Sequence, residues 1–150
     1  MTHPLTPILS VAQWIVVLLV PLANGKTDKL PMDPRTGKVT EKGDGGAHNP
    51  AVWLPYATAA ATAQRWTTEA HRFTVGFVIT EADPFWCLDI DGALQADGTW
   101  SALAQQLMQS LPGTAVEVSQ SGTGLHIWGQ GPVPEHSMKN TQLHIELYSS

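Results

Sequence analysis

A chain of 150 residues with 43% hydrophobic residues is long enough to bury the core of one globular domain. Its formal net charge of −5 excludes the global positive field typical of nucleic-acid binders, so any such role must depend on a local patch. The single cysteine, Cys87, excludes a disulfide scaffold and favours a reducing, cytoplasmic setting.

The most apolar run of the chain is WIVVLLVPLA, from Trp14 to Ala23. A membrane-spanning helix needs about 20 apolar residues, and this run is shorter and ends in Pro21 and polar residues. No basic segment precedes it, as a secretory signal would require. Its Ile and Val content predicts a buried strand over residues 14–20, after a short helix over residues 3–12, and no membrane association.

Residues 24–48 are predicted to form a long loop rich in Gly, Pro, Lys and Asp. Five of the eight cations of the chain lie here: Lys26, Lys29, Arg35, Lys38 and Lys42. Loops this long inside a compact domain are usually functional or disordered. The cations can follow a nucleic-acid backbone and give salt-sensitive binding. The alternative for each of them is a solvated loop with balanced charges.

The rest of the chain predicts helices mixed with neighbouring strands. Pro50, after Asn49, predicts the first turn of a helix that runs to Arg65. Residues 73–80 and 85–90 indicate antiparallel strands joined tightly through EADP. Further predicted elements are a helix over 99–110, capped by Thr99 or Asp97, and strands over 114–119, 123–129 and 142–148. This order predicts an α+β fold with a mostly antiparallel sheet.

The stretch FWCLDIDG places two carboxylates in what otherwise reads as a buried strand. Because side chains alternate along a strand, Asp89 and Asp91 should point to one face and Leu88 and Ile90 to the other. At a spacing of about 6.6 Å their repulsion is on the order of 2–3 kcal/mol at an effective dielectric constant near 20. A divalent cation such as Mg²⁺ would offset it. The alternative is that both acids face water.

Two later stretches carry further candidate residues. In EVSQSGTGLHIWG, the turn Ser121, Gly122, Thr123 and Gly124 leads into a strand with His126. Such a turn can present backbone N–H groups to an anion, and the histidine adds a donor for a phosphate. The alternative is a hairpin turn with an incidental histidine.

In LHIELY, alternation predicts that His144, Glu146 and Tyr148 share one face. Glu146 would then complete a site of three carboxylates, unless this is simply an exposed strand face.

Together, LDIDG, SQSGTGLHIWG and HIELY resemble the archaeo-eukaryotic primase superfamily, and more closely the bifunctional primase-polymerase (prim-pol) domains of phage and plasmid replication proteins. The earlier segments GKTDKLPMDPRTGK and NPAVW are also similar to the prim-pol pattern. The resemblance covers residues 14–148 and implies an RRM-like, mostly antiparallel sheet with flanking helices and an N-terminal αβ unit. The whole chain, residues 1–150, is therefore predicted to be one prim-pol domain, which is either cut at its C-terminal end or a short version of the domain.

The resemblance implies that Asp89, Asp91 and Glu146 hold Mg²⁺ or Mn²⁺ for two-metal nucleotidyl transfer. It implies that His126 contacts a nucleoside triphosphate in a pocket shaped by the turn of residues 121–124. A single-stranded DNA template, and a helicase domain or protein, are the implied partners. Two alternatives stay open: a non-catalytic module that binds nucleotide or nucleic acid in a replication complex, and a metal-dependent phosphoester hydrolase.

Overall fold

The computed structural model describes residues 5–149, which form two compact units: Pro7–Val78, and residues 79–149 together with residues 5–6. The helices are α1 Thr6–Leu9, α2 Tyr56–Trp66 and α3 Ala102–Ser110. The strands are β1 Trp14–Pro21, β2 Thr27–Asp33, β3 Lys38–Val39, β4 Arg72–Phe77, β5 Phe85–Ile90, β6 Ala115–Val118, β7 Leu125–Gln130, β8 Lys139–Asn140 and β9 Ile145–Tyr148. The predicted α+β class is confirmed, with two antiparallel sheets.

In the unit Pro7–Val78, the sheet has the strand order β3-β2-β1-β4, so β1 is a central strand. Both faces of β1 are covered. Ile15 and Val17 pack with Val52 on one face, and Val16 packs with Met32 and Ala63 on the other. This two-sided burial explains the continuous apolar run, and the predicted buried strand is confirmed. No helix within residues 5–149 is long and apolar enough to cross a membrane.

Three predictions for this unit are wrong in detail. The helix predicted over 3–12 spans only Thr6–Leu9 in the described part of the chain, and residues 3–4 lie outside it. The predicted loop over 24–48 contains the hairpin β2–β3, because Met32 in its middle is buried in the core. The predicted helix does not begin at Pro50.

Pro50 instead begins a 3₁₀ turn, Pro50–Val52, whose N-terminus is capped by the side chain of Asn49. Leu54 then exchanges backbone hydrogen bonds with Trp14, and the helix α2 begins only after Pro55. The residue before a proline disfavours helical backbone angles, which explains the extended step at Leu54.

The second unit, residues 79–149, has the strand order β6-β7-β5-β9-β8. Helix α3 packs Ala104 against one face of this sheet, over a core that includes Leu88, Ile90, Leu125 and Ile127. The alternation of β5 is therefore as predicted for its apolar face, and the other face of the sheet is left for Asp89 and its neighbours.

Two predictions for this part of the chain are wrong. Strand β4 pairs with β1, whereas β5 pairs with β7 and β9, so EADP does not join a hairpin. There the Asp83 carboxylate accepts hydrogen bonds from the backbone and hydroxyl of Thr80 and ends the extended run. The N-cap of helix α3 is Ser101, and not Thr99 or Asp97 as predicted. The Asp97 carboxylate instead accepts hydrogen bonds from the backbone N–H and the hydroxyl of Thr99.

Candidate functional site

Five polar side chains lie side by side across the second sheet, one on each strand, and we call them the charged row. Strand register pairs each member with the next, and direct cross-strand partners have Cβ atoms about 4.5–5.5 Å apart. In sheet order, the row is Glu117 on β6, His126 on β7, Asp89 on β5, Glu146 on β9 and Lys139 on β8. Three predicted site residues from three distant stretches are thus brought together.

The carboxylate part of the row is Asp89 opposite Glu146. Asp91 follows the last residue of β5, and its backbone N–H donates to the carbonyl of His144 at 2.9 Å. His144 adopts a left-handed backbone with φ 53° and precedes β9, so the prediction that it alternates with Glu146 and Tyr148 on one strand face is wrong. Only Glu146 and Tyr148 share that face within β9.

A cation is bonded to one of the three predicted carboxylates. The Lys139 ammonium donates to Glu146, and the Tyr148 hydroxyl donates to the other oxygen of the same carboxylate. These two hydrogen bonds lower the pKa of Glu146. The pKa of Lys139 is raised first by Glu146, with further contributions from the charges of Asp91 and Asp89. Repulsion within the acidic group is therefore offset by Lys139, as the FWCLDIDG stretch requires.

Within residues 5–149, no three His, Cys, Asp or Glu side chains are arranged as a ready-made metal centre. The donor chemistry nevertheless fits a hard divalent cation, because Asp89 and Glu146 offer carboxylate oxygens at paired strand positions and Asp91 directly follows β5. A metal bound there would take the electrostatic place of the Lys139 ammonium.

The other half of the row is a hydrogen-bonded group around His126. Its Nδ1 lies 2.9 Å from Oε1 of Glu117, and its Nε2 lies 3.6 Å from Oδ1 of Asp89. The same oxygen of Glu117 accepts a hydrogen bond from Nε1 of Trp128 at 2.9 Å. These two donors lower the pKa of Glu117, with His126 the larger cause.

The predicted turn lies near the end of β5, where Gly124 approaches the carbonyl of Ile90 and Thr123 accepts a hydrogen bond from the backbone N–H of Leu94. Its hydroxyls form a chain in which Ser121 Oγ is 2.9 Å from Ser119 Oγ and 3.1 Å from Thr123 Oγ1. Ser119 also accepts a hydrogen bond from the backbone N–H of Gly124 at 3.0 Å. Gly122 has φ 79°, a left-handed conformation that glycine adopts without strain. Serine and glycine are therefore required here by the local geometry of the turn itself.

Gly124→Ala should destabilise the unit. A Cβ at this position would lie 2.8 Å from the carbonyl oxygen of Ile90 and 2.9 Å from Ser119 Oγ, and the first of these is backbone that cannot turn aside. We expect the free energy of unfolding to fall by about 1–3 kcal/mol, as for other overpacked sites. Urea denaturation measures this, with the exposed neighbour Gln120→Ala as the control. An unchanged midpoint for Gly124→Ala would contradict the close approach.

The predicted nucleic-acid-binding cations lie in the other unit, on and around the hairpin β2–β3. Lys26 precedes β2, Lys29 lies on β2 and Lys38 begins β3, and all three are exposed. Arg35, at the hairpin turn, donates from Nε and Nη2 to the two carboxylate oxygens of Asp33 at 2.9 and 2.8 Å. This pairing lowers the pKa of Asp33 to about 2.

Glu117 and Lys139 were not predicted as residues of the site. The hydrogen bond from Tyr148 to Glu146 was not predicted either. Glu117 begins the stretch EVSQSGTGLHIWG. It could have been found from its position on β6, the strand that pairs with the strand of His126. Lys139 had no comparable signal, because β8 contains only two residues. The local signal for the hairpin β8–β9 is an Asx-type turn at Asn140, whose side chain accepts hydrogen bonds from the N–H groups of Gln142 and Leu143.

Comparison with known proteins finds a relative among the phage replication proteins. No family model matches the chain. The DNA primase-polymerase of Nitratiruptor phage NrS-1 is 28% identical to it over an alignment of 144 residues, and the alignment covers 93% of this chain and 18% of the phage protein. The chain therefore spans less than a fifth of that relative's length. The similarity supports a relationship between this chain and the primase-polymerases.

Proposed function

We propose that this chain is a DNA primase or DNA-dependent polymerase module of phage or plasmid replication, with the charged row as its active site. The observation that supports this most is strand register: Asp89 lies between His126 and Glu146 on adjacent strands. The resemblance in sequence assigns these same residues to metal and triphosphate, and the name of the phage relative agrees with the proposed class of activity.

In this proposal Asp89, Asp91 and Glu146 would hold Mg²⁺ or Mn²⁺. When bound, the ions would lower the barrier to attack by the 3′-hydroxyl and stabilise the leaving pyrophosphate. His126 would contact the triphosphate through Nε2, and the N–H groups of the turn at residues 121–124 would bind its oxygens. The second unit would correspond to the RRM-like sheet of the family and Pro7–Val78 to its N-terminal αβ unit.

The exposed cations Lys26, Lys29 and Lys38 would bind the phosphates of a single-stranded template. Arg35 would contribute less, since Asp33 already occupies the Nε–Nη2 edge of its guanidinium. Binding through lysines depends on release of counterions, so template affinity should fall with added salt. A helicase domain or protein would act alongside this module, as in other replication proteins of the proposed family.

The proposal is tested by incubating the chain with a primed and an unprimed single-stranded DNA template, nucleoside triphosphates and Mn²⁺ or Mg²⁺. Products are sized on a denaturing gel. Lengthened or newly made strands would support nucleotidyl transfer, and shortened DNA would point to a phosphoester hydrolase. Salt-sensitive DNA binding without any new product would overturn catalysis.

A second candidate, a non-catalytic module that binds nucleotide or nucleic acid, is favoured by one observation. Both oxygens of the Glu146 carboxylate already accept hydrogen bonds, from Lys139 and Tyr148. If that arrangement persisted with nucleotide present, Glu146 would have fewer lone pairs to offer a metal ion.

Lys139→Met therefore separates the two candidates. If Glu146 binds metal, the ammonium competes with the ion, and its removal should tighten Mn²⁺ binding about two- to fivefold, the range expected for an exposed ion pair. Calorimetric titration with Mn²⁺ measures the change. Lys26→Met, an exposed lysine of the other unit, is the control. Weaker Mn²⁺ binding in Lys139→Met would contradict competition for Glu146.

A further inference from the structure

Glu117 lies in the charged row on the side of His126 away from the carboxylates. It is on the edge strand β6, and its side chain is 46% exposed, while the His126 side chain is 20% exposed. Neither the resemblance nor the metal assignment gives it a role. Its contacts nevertheless decide which atoms of His126 remain available to a ligand.

The carboxylate of Glu117 fixes the hydrogen position on His126. Its pKa is lowered, so the carboxylate is ionised at neutral pH and can only accept hydrogen bonds. At a separation of 2.9 Å, Nδ1 of His126 must therefore carry the hydrogen and donate it to Glu117. Free histidine has no such constraint, because either ring nitrogen can carry the hydrogen. With Nδ1 bonded to Glu117, Nε2 donates to a phosphate oxygen when the ring carries hydrogens on both nitrogens, and the Glu117 carboxylate stabilises that form.

The same contact fixes the orientation of the ring. With Nδ1 directed to β6, Nε2 is directed to β5, 3.6 Å from Oδ1 of Asp89. Trp128 restrains the other side of the contact, since its indole N–H donates to the oxygen that also accepts from His126. The indole and imidazole rings meet edge to face, with centroids 6.5 Å apart. Trp128 thus holds Glu117 in place, and Glu117 in turn orients His126.

We infer that Glu117 is a positioning residue, which orients His126 so that its Nε2 faces the triphosphate of a nucleotide bound beside Asp89. This inference rests on the proposed function for the identity of the ligand. The orientation itself does not depend on catalysis. The arrangement resembles the outer partners of metal-binding histidines, where a carboxylate on one ring nitrogen sets the direction of the other.

The first test is a comparison of nucleotide binding and kinetics in Glu117→Ala, His126→Ala and the double variant. Loss of an outer hydrogen-bonding partner typically reduces binding or activity about 10- to 100-fold. We expect Glu117→Ala to weaken binding of Mn²⁺-dATP about tenfold, with KM raised more than kcat is lowered. In the His126→Ala background, Glu117→Ala should add nothing, because it acts through the imidazole. Glu135→Ala, an exposed acid of the same unit, is the control.

The second test reads the histidine directly. In ¹⁵N spectra of the imidazoles at one fixed neutral pH, with His126→Ala used to assign the signal, wild-type His126 should show a protonated Nδ1. Glu117→Ala should shift the signal towards protonation at Nε2. Glu135→Ala should leave it unchanged.

The outcomes separate this inference from the proposed function. If His126→Ala weakens nucleotide binding and Glu117→Ala does not, positioning by Glu117 is wrong while the nucleotide site stands. An equal loss from Glu117→Ala with and without His126 also overturns it. If the wild type binds no Mn²⁺-dATP but the spectra change as expected, the proposed function fails and the positioning of His126 stands.

Discussion

Replacing Asp89 and Asp91 together by alanine is expected to abolish template-directed nucleotide incorporation. Changes to outer partners of metal ligands already reduce affinity or activity about 10- to 100-fold, so loss of two ligands should leave less than about one-hundredth of the activity. The change should not unfold the chain, since Asp91 is exposed and removal of the acids relieves repulsion. Incorporation of labelled nucleotide measures the rate, and calorimetry measures Mn²⁺-dependent binding of dATP.

Glu135→Ala serves as the control for this double variant, because it removes an exposed acid from the same unit. Circular dichroism establishes that both variants keep the wild-type fold. A folded double variant that incorporates nucleotide at the wild-type rate would show that the metal assignment is wrong. The same variant with dATP binding retained but incorporation lost would place the acids in chemistry rather than in nucleotide affinity.

Among glycine-to-alanine substitutions, Gly129→Ala is expected to cause the largest loss of stability. Gly129 is paired with Trp86 across β7 and β5, and the indole lies directly over it. An added Cβ would lie 2.0 Å from Cζ2 of Trp86, well inside the normal contact distance of about 3.5–4 Å. Trp86 packs against the core of the unit, so moving the ring disturbs that core. We expect the free energy of unfolding to fall by about 3 kcal/mol.

Guanidinium denaturation measures this effect, and a double-mutant cycle assigns it. In a Trp86→Leu background the clash is gone, so Gly129→Ala should destabilise much less than in the wild type. Gly43→Ala is the control, because its Cβ would meet nothing within 4 Å. Equal effects of Gly129→Ala with and without Trp86 would mean that the indole is not the obstacle.

The candidate site was largely predictable because it uses alternation on strands, which a sequence displays directly. The apolar partners Leu88 and Ile90 establish the strand around Asp89, and the glycine-rich turn locates His126. What local pattern does not contain is pairing between distant strands. Alternation alone therefore left it open whether Glu146 joins Asp89 in one site or lies on an exposed strand face, the family resemblance favoured one site, and Lys139 was missed.

The errors in the fold have a similar cause. Met32 lies in a segment rich in turn-forming residues, yet it is buried because β1 needs a partner on that side. Pro50 has the local features of a helix start, but Leu54 must pair with Trp14, which postpones the helix to Tyr56. In each case a tertiary contact prevailed over local propensity.

The charged row takes one residue from each of five strands, and these residues are spread along the chain from Asp89 to Glu146. Such a site has no partial form, because a ligand can bind only when the whole sheet has assembled. Ligand binding and folding of residues 79–149 are therefore thermodynamically linked, and a ligand at 100 times its Kd would stabilise the unit by about 2.7 kcal/mol. Thermal unfolding of the intact chain would register occupancy of the row even where turnover is too slow to detect.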